Sequence, residues 1–407
     1  MKILYRLKVF AVALVIAAAG FLPAAAYGNA AKQNIEGIIE YNLQKSSAGS
    51  VQEWIDGDLT RNAGTGSEWY IIALSNHGNY DFSAYKNALN SYLLKNEEGS
   101  ASTRLKYALT YIAIGDKTNT YIKKVLGNSI GEQGIMSLVF GLHLLNNGCV
   151  CDAYSVKTLI DELLSLQLAD GGFSVAGERG DVDVTAMTVQ ALAVHYDNNP
   201  VVKSSVDDAL DFLSVSQLEN GGYPGYGVAN PESAAQVVIA LSSLNVDVFS
   251  DSRFIKNGNT VFSGISNFRL ADGSFCHKEG GASDSTATAQ VFCASIAYEN
   301  MKNNKSSFYI FSDKNAVVEK PTNTTKAETT AIQTTSAETT SLIEPTSEIT
   351  NTTAFPETDT QKSETAETPT DETDFTLYII ISVCAVSLLI CVVVAVICKE
   401  KIKRFSL

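Results

Sequence analysis

Histidine is scarce in this chain: His77, His143, His195 and His277 are the only four among 407 residues. None belongs to a nucleophile motif, and His143 and His195 fall on apolar runs where a buried structural ring is the ordinary reading. Cysteine is nearly as sparse, with seven in all. Cys384, Cys391 and Cys398 lie in or at the edge of a C-terminal apolar run, leaving Cys149, Cys151, Cys276 and Cys293. Four cysteines in a domain this long do not make a disulfide scaffold, although they leave room for one or two bridges of unfixed pairing. Nor do they assemble a zinc set, which needs three or four ligands. Cys149 and Cys151 have no histidine beside them, and Cys276-His277 is an isolated pair. No cofactor or metal is expected. Basic residues also run short, 30 Lys and Arg against 44 Asp and Glu, so the footprint of a nucleic-acid binder is missing. Period-two alternation is absent too, which excludes a half-buried sheet and leaves an all-α domain.

Long apolar runs occur at the two ends. At the start, Lys2, Arg6 and Lys8 precede an uncharged stretch over residues 9–22 and small residues at Ala24, Ala26, Gly28 and Ala30. That is the pattern of a secretory signal peptide, here residues 1–30. At the other end, residues 375–398 carry no charge, a length that spans about 30 Å of hydrocarbon as a helix. Asp371, Glu372 and Asp374 precede the run, and Lys399, Lys401, Lys403 and Arg404 follow it. The positive-inside bias places residues 399–407 in the cytoplasm and everything upstream outside, a single-pass type I arrangement at the cell membrane. Residues 314–374 are about a third threonine, with little large apolar content. Such a stretch cannot offset its ordering entropy, so a disordered Thr-rich stalk is expected. From Asn315 to Asp374 it carries twelve Asp and Glu against three Lys, which supplies nine of the fourteen units of net negative charge. The acidic balance therefore says little about the ligands of residues 31–313.

That remaining domain is repetitive. "QLADGGF" (167–173) returns as "QLENGGY" (217–223) and as "LADGSF" (270–275). Each copy follows an amphipathic segment and precedes a more apolar one: "DVTAMTVQALAVHY", "PESAAQVVIALSSL" and "DSTATAQVFCASIAY". Glycine after a helix takes the left-handed conformation without steric cost, and the aromatic after it can plug the helix end. Upstream, "GSEWYIIALS", "STRLKYALTYIAIG" and "GEQGIMSLVFGLHLL" alternate with "NIEGIIEYNLQ", "SAYKNALNSYLLK" and "NTYIKKVLG". Six amphipathic and six apolar helices in alternation predict an outer ring around an inner one. The repeated Asp/Asn-Gly-Gly-aromatic loops before Ser/Thr-Ala helices resemble the α/α-toroid superfamily. Within it the chain is most similar to prenyltransferase/squalene-oxidase-repeat, terpenoid-cyclase-like surface proteins of Gram-positive bacteria. The resemblance is strong over residues 155–300 and weak before 130, and it implies six helical hairpins closing one toroid.

The stretch "GDVDVTAMTVQALA" (180–193) poses the functional question. Class II cyclases of the superfamily carry Asp-x-Asp-Asp-Thr-Ala, and the resemblance makes Asp183 the proton donor. Val184 stands where the last Asp belongs, which removes a carboxylate that tunes that acid. The zinc transferases need a histidine on the last inner helix, where "GASDSTATAQVFC" offers Thr and Ser. Complement-type domains need a thioester cysteine, and "SIGEQGIM" has Ile130 in that place. Acids nevertheless recur at the starts of the apolar helices: Glu68, Glu132, Asp181, Asp183, Glu232 and Asp284. Each alone caps a helix and interacts with its dipole. Together they predict a negative rim around one mouth of the barrel, suited to a cationic or polyhydroxylated ligand. The expectation is a membrane-anchored surface toroid that binds a small molecule, surface glycan or protein. The alternatives are an extracellular cyclase- or prenyltransferase-like enzyme using Asp183, and a corrinoid-binding or adhesion module.

Overall fold

The computed structural model describes residues 29–96, 99–225 and 227–311. All but residues 29 and 30 of the expected signal peptide, and the whole of the stalk, the membrane span and the cytoplasmic tail, lie outside these residues. Among the described residues no helix is long and apolar enough to cross a membrane. The described part is mostly helical. Its helices are α1 (Ala30–Ser46), α2 (Val51–Trp54), α3 (Glu68–His77), α4 (Ser83–Leu93), α5 (Ala101–Ala113), α6 (Thr120–Asn128) and α7 (Gly134–Asn146). They continue as α8 (Val156–Ser165), α9 (Val182–Leu192), α10 (Pro200–Ser216), α11 (Pro231–Ser243), α12 (Val261–Ser266) and α13 (Ser285–Lys302).

Two kinds of helix alternate. In α11 every position from Ser233 to Ser242 is buried, and α7 buries Ser137 through Leu145. In α10 only Val202, Ser205, Val206, Ala209, Leu210 and Leu213 are buried, a stripe at three- and four-residue spacing. The apolar helices pack in series: α3 on α5, α5 on α7, α7 on α9, α9 on α11, α11 on α13, and α13 back on α3. Amphipathic α6, α8, α10 and α12 lie on the apolar helix that precedes each of them. Helix α1 has no predecessor, and it lies on α13. First and last elements therefore meet.

The repeated loops are built alike. Leu168 N–H donates to Gly172 O and Gly171 N–H to Leu168 O, each at 2.9 Å, and Leu218, Gly222 and Gly221 repeat the pair at the same distances. The first glycine of each pair, Gly171 and Gly221, and the single Gly273 of the third loop have positive φ. A β-carbon there would stand 2.5 Å from Asp208 O on α10, 2.1 Å from Thr260 O at the start of α12, and 2.5 Å from Gly37 O on α1. Each loop thus rests directly on the backbone of the next amphipathic helix, and the third one reaches α1. The aromatics Phe173, Tyr223 and Phe275 are fully buried, each worth roughly 1.5–3 kcal/mol of apolar burial.

The Thr-Ala signature has a structural task. Thr185 Oγ1 accepts from Phe173 N at 2.8 Å and donates to Phe173 O at 3.2 Å. Thr288 Oγ1 likewise accepts from Phe275 N at 3.0 Å, and its proton lies between Asp284 O at 2.7 Å and Phe275 O at 3.3 Å. In the middle repeat the clamp is replaced by a two-stranded hairpin, β1 (Tyr223–Gly225) and β2 (Val228–Asn230), with Tyr223 opposite Asn230. This hairpin departs from the all-helical expectation. Pro224, Gly225 and Gly227 keep the segment out of a helix, and it pairs with itself instead. A further departure is α2, which continues into a π-helical turn at Ile55–Leu59. It buries Trp54, Ile55 and Leu59, a seventh amphipathic segment beyond the expected six. Cys149, Cys151, Cys276 and Cys293 are all free thiols.

The last described residues cross the C-terminal ends of the apolar helices. Phe308 and Tyr309 are buried. Asn76, at the end of α3, donates to Phe308 O at 3.1 Å, and Asn147, after α7, donates to Tyr309 O at 2.7 Å. Asn147 Oδ1 then accepts from Phe311 N at 2.8 Å.

Candidate functional site at the start of the apolar helices

The six sequence-selected acids separate into two groups. Glu68 is 1% exposed, so its carboxylate is buried rather than presented at the surface. Its Oε1 accepts from Gly64 N at 2.6 Å and from the Tyr85 hydroxyl at 3.0 Å, and its Oε2 accepts from Gly66 N at 3.2 Å. Lys106 Nζ stands 4.0 Å away. This carboxylate is satisfied, and it fixes the loop before α3. Burial and the Glu68 charge push the Tyr85 phenol well above its usual range. Lys106 is pulled below the usual lysine value by burial, which Glu68 partly offsets. Glu132 also leaves the rim set. It precedes the N-cap Gln133 of α7 rather than sitting in the first turn, and it pairs with Arg104. Both acids serve local structure.

The remaining four gather over the starts of α9, α11 and α13. Asp181 caps α9, its Oδ1 accepting from Asp183 N at 2.9 Å and Val184 N at 3.2 Å. Asp284 caps α13, accepting from Thr286 N at 2.8 Å and Ala287 N at 2.9 Å. Helix α11 is capped by Asn230, whose Oδ1 accepts from Ser233 N at 2.8 Å. Capping is thus done without Asp183 and Glu232.

Asp183 Oδ1 is sealed from solvent and bonded to nothing. Its carboxyl is pushed up to about 6. Burial is the main cause, the Ser233 hydroxyl partly offsets it, and the charges of Asp181 and Glu232 add to the rise. The Ser233 hydroxyl faces this carboxylate without completing a hydrogen bond. Glu232 Oε1 meets His277 Nδ1 at 2.9 Å, while its Oε2 is buried and unpartnered. Burial raises Glu232 above the usual carboxylate value, with His277 opposing and Asp284 adding. Beside this group, Arg179, Asp181, Asp211, Phe212 and Pro224 line an open cleft of about 720 Å³.

Three parts of the site escaped the sequence reading. Ser233 is one, though the Ser-Ala pair it heads echoes Thr185-Ala186 and Thr288-Ala289. His277, set aside as half of an isolated Cys-His pair, is the partner of Glu232. The third is a glutamine chain that links α9, α11 and α13: Gln190 Nε2 donates to Gln236 O and Oε1 at 2.8 and 2.9 Å, and Gln236 Nε2 to Gln290 Oε1 at 2.9 Å. The expected core histidine, His143, is fully buried, and burial lowers it to about 3. Among the described residues no group of three His, Cys, Asp or Glu is placed to hold a metal ion. No protein-family model matches the chain, and no curated protein matches it in sequence.

Proposed function

We propose that this chain is a membrane-anchored surface protein whose α/α toroid binds a ligand at the acid-lined mouth without converting it. The toroid reading is supported by the serial packing of the six apolar helices, with α13 returning to α3. The third repeat loop, resting on α1, supports the same closure. Residues 308–311 cover the C-terminal ends of α3 and α7 through Asn76 and Asn147, which favours the opposite end as the entrance. Signal peptide, stalk and span rest on the sequence pattern alone.

One observation carries the binding reading. Asp183 Oδ1 at the start of α9 and Glu232 Oε2 at the start of α11 are buried acceptor atoms without partners. Leaving such atoms unpaired costs about 1–3 kcal/mol each, and a ligand that satisfies them recovers that cost. A second reading, a cyclase-like acid, is favoured by the upward shift of Asp183 to about 6. Against it stands Val184 in place of the second carboxylate. Native mass spectrometry of the protein from its own cells separates the two. The expected result is a bound small molecule returned chemically unchanged and lost in Asp183→Asn. A converted molecule favours the acid, and a ligand indifferent to Asp183 and Glu232 overturns the mouth as the site.

A further inference from the structure

The fold gathers Cys149 and Cys151 into one cavity. They lie on the link from α7 to α8, where residues 149–151 belong to no helix, strand or turn. Exposure alternates along them: Cys149 and Cys151 are half-buried and pack against the core, while Val150 between them is 82% exposed. Side chains two apart in extended chain share one side, and the one between them points away. Both cysteines accordingly line a single open cavity of about 660 Å³, together with Lys117, Lys123, Leu126 and Asp152. Both thiols are free, and Cys151 Sγ donates to Leu126 O at 3.3 Å. That carbonyl belongs to the last turn of α6, the negative end of the helix, where a cation is favoured.

The spacing of the two thiols selects what can bridge them. Cα atoms two positions apart in extended chain are separated by roughly 7 Å, at or beyond the span of about 4.4–6.8 Å that a disulfide tolerates. Two sulfur–metal bonds of about 2.3 Å set the sulfurs about 4.6 Å apart instead, a wider gap that same-side cysteines meet more easily. Zinc needs three or four ligands, and among the described residues no such group of His, Cys, Asp or Glu is assembled. A soft monovalent ion needs only two thiolates in a line, and among biological metals thiolate ligands favour Cu(I). We propose that Cys149 and Cys151 bind one Cu(I) ion as a bis-thiolate. Each sulfur exchanges its proton for a sulfur–metal bond; the two protons pass to solvent, and nothing is oxidised or reduced. The product carries one net negative charge, which Lys117 and Lys123, opposed by Asp152 alone, offset at the same cavity. Leu126 O, having lost the thiol donor, faces the cation in its place.

The test uses the full chain, reduced and kept from oxygen, with Ag(I) as a redox-inert probe of the same coordination. Native mass spectrometry should count one more Ag(I) on the wild type than on Cys149→Ser or Cys151→Ser, and Cys276→Ser should match the wild type. Any silver held by Cys384, Cys391 and Cys398 is common to all four chains and cancels in that difference. A second arm needs no variant: Ag(I) should shield Cys149 and Cys151 from iodoacetamide, read peptide by peptide, and Zn(II) should not. Cu(I) supplied as its bicinchoninate complex should then transfer to the wild type and to neither Cys149→Ser nor Cys151→Ser. Equal silver counts on the wild type and both of those variants overturn the site, as does alkylation that silver leaves unchanged. A Cys149–Cys151 disulfide in the protein taken from its own cells overturns it too. Silver uptake without copper transfer overturns Cu(I) as the ion.

Discussion

Asp183 and Asp181 are two residues apart, yet their surroundings give them opposite roles. Asp181 spends its Oδ1 on two backbone N–H groups, the ordinary work of an N-cap. Asp183, one residue into the helix, is turned toward Ser233 and Glu232 and is left with an unpaired oxygen. The pattern of acids at helix starts was legible in the sequence, but which of them face one another was not, because that depends on packing between helices. Glu68 shows the limit from the other side: its spacing matches the rim, and Gly64, Gly66 and Tyr85 consume it. The raised Asp183 value has a definite thermodynamic sign. Its folded pKa of about 6 lies above the ordinary aspartate value of 3.8, so the folded state holds the proton more tightly than the unfolded chain. This group therefore costs stability progressively as pH rises from about 4 to about 6, and the full cost, on the order of 3 kcal/mol, persists above that. Asp183→Asn should melt close to the wild type at pH 4. It should melt several degrees higher at pH 7.5, with the difference opening between those values. Parallel melting curves across the whole range would show that the carboxyl is not buried as described.

At the scale of elements, the apolar helices were the most legible part, because a segment that is apolar on all faces has no stable place except between other helices. Their starts agree with Asp181, Asn230 and Asp284 as caps, and Pro200 and Pro231 open α10 and α11. The π-helical turn after α2 was hidden by Asp56-Gly57-Asp58, which interrupts the apolar spacing that Trp54, Ile55 and Leu59 complete in three dimensions. The hairpin was hidden by its proline and glycines, which read equally well as loop. The glycine pairs were seen as helix stops, and they are more than that. Gly221 needs its positive φ and also the empty space against Thr260 O, whereas Gly258, with φ of 81°, has nothing within 4 Å of a β-carbon. Gly258→Ala should lose only the left-handed penalty, roughly 1–2 kcal/mol. Gly221→Ala carries that penalty plus the displacement of α12 from the loop, so its denaturation midpoint should fall distinctly further. Equal losses in urea titrations would mean that loop and helix separate without cost, and the argument for closure through the repeat loops would weaken with them.

For the whole molecule, the decisive segment is one that periodicity could not flag. Residues 306–311 form no helix or strand, yet Phe308 and Tyr309 bury their rings, and the Tyr309 ring lies 4.5 Å from that of His143. The sequence reading placed the end of the domain at Asp313 by composition. The packed contacts reach Phe311, so the folded body extends past the last helix to within two residues of that boundary. This turns a topology test into a sharper one. Protease added to intact cells should release a body of about 30 kDa by cutting between Asn315 and Asp374, where the Thr-rich composition offers little apolar surface to bury. Its C-terminus, read by mass spectrometry, should lie beyond Phe311, because cleavage at Phe308 or Tyr309 requires lifting both rings out of the helix ends. Phe308→Ala removes a buried ring at a cost of about 3–5 kcal/mol. In that variant trimming should move inward past Ser307, and the released body should melt lower. If the wild-type body is trimmed back to Lys305 and melts unchanged, the tail does not close that end. If the tail after residue 398 is cut while the body stays on the cells, the assigned orientation in the membrane is wrong.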